Sequence, residues 1–190
     1  MTDVLPPSLE PWANFYVIVG SSAGALTGLQ FVVISFISER RRMTNTADIG
    51  AFGTPIIVHF GFVLLLSTLL SAPWARLESV GYTLAGFGFL GLLYTGVIAR
   101  RAARATYKAV LDDVIFHMVL PAVAYAMVLV AGLLMPRGSG WVYFAIAGTA
   151  LGLLFIGIRN AWDTVLYILT MDHAEHAPEG SGRKTESRKH

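Results

Sequence analysis

Apolar residues fall in five long blocks along this 190-residue chain, and charge is confined to the gaps between them. The blocks Phe15–Ile37, Pro55–Trp74, Val80–Ala99, Val114–Met135 and Trp141–Ile158 contain no Asp, Glu, Lys or Arg. Each holds 18 to 23 residues, and about 20 helical residues cross a hydrocarbon core of roughly 30 Å. Backbone polar groups cannot be left bare in lipid, so blocks of this length are predicted as helices. The pattern therefore predicts an all-α, polytopic membrane protein with five transmembrane helices. Beyond Ile158, Trp162, Val165, Leu166 and Leu169 recur at helical spacing, which predicts an amphipathic extension to about residue 171. Residues 1–171 then form one bundle, and the polar Gly/Pro/Ser-rich segment 172–190 is expected to be a disordered tail.

The basic residues set the threading. Of the 14 Lys and Arg, twelve lie in the links after the first and third blocks and in the tail. Only Arg76 and Arg137 lie in the other two links. Positive charge stays on the cytoplasmic side, so the N-terminus is predicted outside and the C-terminus cytoplasmic. Trp12, Trp74 and Trp141 then fall at the outer interface, where indole rings prefer to sit. The N-terminal segment MTDVLPPSLEPWAN has no Lys or Arg, so the basic region of a cleaved signal is missing and the first block is expected to be retained.

Composition narrows the function classes. The chain is 55% hydrophobic and 14% charged, with mean hydropathy +0.61, whereas soluble domains carry about 25% charged residues. Without cysteine it has no disulfide, thiolate ligand or cysteine nucleophile. The net charge of +2 is accounted for by topology and does not point to nucleic acid. Phosphate-binding loops, HExxH and GxSxG are absent, and no carboxylate sits inside a block, which speaks against an ion-coupled pump. The expectation is a non-enzymatic accessory or scaffold subunit with no cofactor. Its partners are the bilayer and another membrane protein or a second copy.

The first block carries Gly20-xxx-Gly24-xxx-Gly28, a glycine zipper. On a helical wheel these glycines share one half with Ser21, Ala23, Thr27, Gln30 and Ser35, while Ile18, Leu26, Leu29, Val32, Val33 and Phe36 fill the other. The second half is predicted to face lipid. The first is predicted to pack closely within the bundle, with a seam between copies as the alternative. Gly148-xxx-Gly152 in the fifth block offers a similar notch. AGALTGLQF (23–31) and AGTALGLLF (147–155) agree at five of nine positions, a likeness that chance supplies among Gly-, Ala- and Leu-rich helices.

Trp12, Phe15, Tyr16, Gly20, Ala25, Leu26, Thr27, Gly28, Leu29, Phe31, Val32 and Ser35 form a pattern, W-x-x-F-Y…G…A-L-T-G-L-x-F-V-x-x-S. This opening resembles a group of small bacterial multi-pass membrane proteins of uncharacterised function. The resemblance covers about 25 residues and implies a bacterial inner-membrane location without implying an activity. Gln30 stands where that pattern has an apolar residue.

Few polar groups inside the blocks can do chemistry. His59, His117 and Gln30 are each predicted roughly 5 to 10 Å below the same surface, which the threading makes the cytoplasmic one. Asp113 lies four residues before His117, on the same helix face, where it can pair with the imidazole. Pro121 has no N–H for the carbonyl of His117, so a kink is expected there. Gln30, His59, Asp113 and His117 form a candidate cluster for proton- or small-cation-linked transport. The plainer reading is structural, because neutral imidazoles near an interface cost little. Two histidines are also a weak signal for haem.

Overall fold

The structure, a computed structural model, describes residues 9–40, 46–104 and 115–175. Among these residues it is helical, without strands. A 3-10 turn, Glu10–Trp12, leads into α1 (Ala13–Arg40), followed by α2 (Thr46–Ser71) and α3 (Leu77–Arg104). A π-helical turn, Ile115–Val119, opens α4 (Leu120–Leu134), and a 3-10 turn, Met135–Arg137, closes it before α5 (Trp141–Glu175). Among the described residues four stretches are long and apolar enough to cross a membrane: Glu10–Phe36, Leu77–Arg100, Ile115–Arg137 and Trp141–Leu166. Within α2 the described apolar stretch is Ile56–Ser71.

Two boundaries differ from the sequence expectation. Helix α2 stops at Ser71, short of Trp74, because Pro73 disfavours helical geometry at the residue before it. Trp74 folds back and donates its indole N–H to the Leu69 carbonyl at 2.6 Å, satisfying an acceptor at the helix end. Helix α5 continues to Glu175, so the disorder expected from residue 172 does not begin there; no helix breaker occurs before Pro178. Residues 176–190 lie outside the described residues. The turn between α4 and α5 uses Gly138 at φ 70°, a left-handed conformation that glycine adopts without strain.

In space α1 lies against α2, α2 against α5, α5 against α4, and α4 against α3. Two antiparallel hairpins, α1/α2 and α3/α4, thus flank α5. Phe62 of α2 ties them together, meeting the Tyr125 ring of α4 at 4.6 Å and the Phe87 ring of α3 at 6.0 Å. Trp12 stacks on Tyr143 at 6.5 Å and meets Phe144 edge-on at 4.8 Å, so the starts of α1 and α5 lie at one end of the bundle. Large apolar side chains also cover the outside, among them Ile18, Phe36, Phe144 and Phe155, as suits a surface solvated by lipid.

Glycine decides how closely α3 and α4 approach. A Cβ at Gly81 would lie 2.6 Å from the Gly132 carbonyl oxygen, and one at Gly132 would lie 2.5 Å from the Ala85 nitrogen. A Cβ at Gly88 would collide with the backbone of Leu129, and one at Gly91 with the Tyr125 ring. Small residues permit this backbone-to-backbone contact, which dispersion and lipid entropy then hold together in a membrane.

The zipper on α1 behaves differently. Buried positions on α1 are Tyr16, Val19, Gly20, Ala23 and Gln30, a stripe of alternating three- and four-residue steps that suits a left-handed crossing. A strict four-residue spacing drifts by about 40° per step from such a stripe. A Cβ at Gly20 would meet Ser67 Cβ at 2.8 Å, one at Gly24 would make only ordinary contact with Leu64 at 3.8 Å, and one at Gly28 would meet nothing within 4 Å. Gly148 and Gly152 on α5 likewise have open space beside them. Of these five glycines only Gly20 makes a close approach among the described residues; Gly28, Gly148 and Gly152 have open space beside them.

Candidate functional site

Four of the six buried polar side chains among the described residues lie toward the end where α1 finishes and α2 begins. His59 is 2% exposed and Asn160 is fully buried, with Gln30 and Thr95 also buried. His59 faces α4, where its Nδ1 and the Tyr125 hydroxyl are hydrogen-bonded at 2.8 Å. Tyr125 is itself fully buried, held over Gly91 by the close α3–α4 approach. The packing that needs glycine thus also places the hydroxyl.

Helical register locates the others. Gly20 abuts Ser67, and Gly24 faces Leu64, so α1 and α2 run antiparallel. Gln30 then comes level with α2 to within roughly 3 Å of the height of His59, at 1.5 Å per residue. Gly157 of α5 sits against the Phe60 ring, where a Cβ would be 2.5 Å from Cε1. Asn160 follows one turn later, also within roughly 3 Å of the height of His59. Helices α1, α2, α4 and α5 thus contribute Gln30, His59, Tyr125 and Asn160 to one layer.

His117 sits in the π-helical turn and is half-buried. The widened turn falls where Pro121, in the first turn of α4, leaves the His117 carbonyl without its usual N–H donor. Beside it, the Arg159 guanidinium lies 3.9 Å from the centroid of the Phe116 ring and pairs with Asp163 at 3.4 Å. Asp113, the fourth member of the expected cluster, lies outside the described residues.

Several threonine hydroxyls in the bundle are satisfied locally. Thr27, Thr95, Thr149 and Thr164, for example, each donate to the carbonyl four residues back, the usual device for a hydroxyl on a membrane helix. Against that background the exceptions stand out. His59 Nε2 and both amide atoms of Asn160 are buried without a hydrogen-bond partner, as are Tyr16 Oη and Ser67 Oγ. Asn160 and Tyr125 were not expected from the sequence. The single Asn inside the apolar periodicity of α5 was the available signal for the first; nothing marked Tyr125 among the chain's seven tyrosines.

A second feature is an open groove between α1 and α2 of about 590 Å³. Tyr16, Gly20, Ser21, Gly24 and Ala25 line it on one side, and Leu64, Ser67, Thr68 and Ser71 on the other. Tyr16 and Ser67, whose hydroxyls lack a hydrogen-bond partner among the described residues, are part of its lining. Among the described residues no group of three or more His, Asp or Glu side chains is placed to hold a metal ion. No protein-family profile, curated protein or solved structure matches this chain.

Proposed function

We propose that this chain is a non-enzymatic accessory or scaffold subunit of a bacterial inner membrane, working through helix–helix contact along α1. In this reading α2 is the fifth span, the N-terminus faces outward and the C-terminus faces the cytoplasm, as the distribution of basic residues favours. The observation that carries the reading is the unused small-residue face of α1. Among the described residues Gly24 and Gly28 have little or nothing beside them, and the adjoining groove presents the exposed hydroxyl residues Ser21 and Ser71. Small residues and hydrogen-bonding hydroxyls are what membrane helices use to associate. A partner helix, from another protein or a second copy, would bring both into use.

The test is the size of the protein in gently solubilised membranes. Gly28→Leu adds bulk where the chain itself offers no obstacle, so the bundle should fold unchanged. The wild type should migrate as an assembly and Gly28→Leu should shift toward the size of the single chain. A wild type that already migrates as a single chain sinks the proposal.

Proton- or small-cation-linked transport through Gln30, His59, Asp113 and His117 is the second reading. The unpartnered His59 Nε2 in the shared polar layer favours it.

A further inference from the structure

We propose that His59 and Asn160 hold bound water inside the bundle, in a site that ends blindly at Tyr125. The proposal is independent of the partner-helix reading and goes beyond the transport reading by naming what occupies the layer. Three buried polar atoms, His59 Nε2 and the Nδ2 and Oδ1 of Asn160, have no partner among the described residues. Unpaired groups of this kind are costly in a bilayer, where no bulk water reaches them. Their heights differ by roughly 3 Å along packed neighbours α2 and α5, so one small molecule or a short chain of them serves both.

The chemistry of the partners selects the occupant. The Asn160 amide offers a donor and an acceptor, so its complement must do the same. The Tyr125 hydroxyl engages His59 Nδ1, which leaves Nε2 as the free edge of the ring. His59, Asn160, Tyr125 and Gln30 supply no carboxylate for a cation to bind. A small, neutral molecule that both donates and accepts is required, and water fits with two to four polar partners.

The site is closed on one side. Past Tyr125 the helices bury a run of apolar side chains, Val63, Leu66, Val128, Ala131, Ile146 and Ala150, which separates the layer from the buried Ser67 and Tyr16 near the other end. Toward the other end lie the π-helical turn and the half-buried His117. Water therefore enters from the His117 end and stops beneath the apolar layer, rather than passing through.

The test uses the full chain in lipid bilayers, with water as the probe. Solid-state NMR can measure magnetisation transfer from water protons to the His59 ring. The wild type should show transfer to His59 several-fold faster than to the rings of Phe60 and Phe62. Asn160→Leu should reduce it several-fold while the Nδ1 signature of the Tyr125 hydrogen bond persists; Asn160→Ser, still polar, should retain it. A persistent Nδ1 signature shows that Asn160→Leu is folded, and a variant that lost it would be judged by Asn160→Ser and the wild type alone. Wild-type transfer no faster than to the phenylalanines overturns the proposal. So does undiminished transfer in folded Asn160→Leu.

Discussion

Replacing Gly88 with alanine tests whether the α3–α4 contact is a backbone-to-backbone one. The added Cβ would lie 2.8 Å from both the Cα of Leu129 and the carbonyl oxygen of Tyr125. These are backbone atoms, so no rotamer change relieves the overlap. Ordinary carbon contacts are about 3.5–4.0 Å, and opening an interface by 0.5–1 Å forfeits a quarter to a half of each dispersion contact. Overpacking of this kind costs about 1–3 kcal/mol. The intrinsic helix preference of alanine over glycine, about 1 kcal/mol in water, offsets part of it. Gly86→Ala is the matched control: that position, two residues away on α3, is exposed and has nothing within 4 Å. The control gains helix preference without overlap, so Gly88→Ala should be less stable than Gly86→Ala by about 2 kcal/mol. Reversible unfolding in mixed micelles by increasing SDS fraction measures both. Equal stability, or a more stable Gly88→Ala, would refute the packing described for α3 and α4.

Other expectations follow from the same geometry. Tyr125→Phe removes the hydroxyl bonded to His59 Nδ1 and leaves that ring nitrogen, like Nε2, without a partner among the described residues. The loss should be about 1–3 kcal/mol in the same unfolding titration, and an unchanged midpoint would mean that the hydrogen bond contributes nothing. The threading is testable because the chain has no native cysteine. A membrane-impermeant maleimide added outside intact cells should label Gly140→Cys and leave Ser187→Cys unlabelled until the membrane is opened; the reverse pattern would invert the orientation.

The helices were legible in the sequence because lipid imposes a long, uninterrupted apolar run, a constraint independent of tertiary contacts. Their ends were less legible where local chemistry decides, as at Pro73 and along Asp172–Glu175. Glycine misled for a geometric reason. A four-residue repeat is conspicuous by eye, yet the contact stripe of α1 advances in mixed three- and four-residue steps, so only Gly20 stayed on it. The glycines at the closest approaches, Gly81, Gly88, Gly91, Gly132 and Gly157, form no such repeat across their helices. Of these, Gly81 and Gly88 stand seven residues apart, which is the spacing that keeps to one side of a helix in a left-handed crossing. The candidate site was legible by depth: Gln30 and His59 do share one level. Their neighbours were not, because Asn160 and Tyr125 reach that level through the register of α5 and α4, which the sequence pattern leaves free.

Proximity labelling from the groove tests the central claim, that the free face of α1 meets another protein. A small diazirine-bearing amino acid at Ala25, which lines the groove, would be photoactivated in native membranes. The same group at Ile18, which is 66% exposed on the lipid side, serves as reference. The account predicts protein-sized adducts from Ala25 and lipid adducts alone from Ile18. Lipid adducts alone from both positions would contradict it.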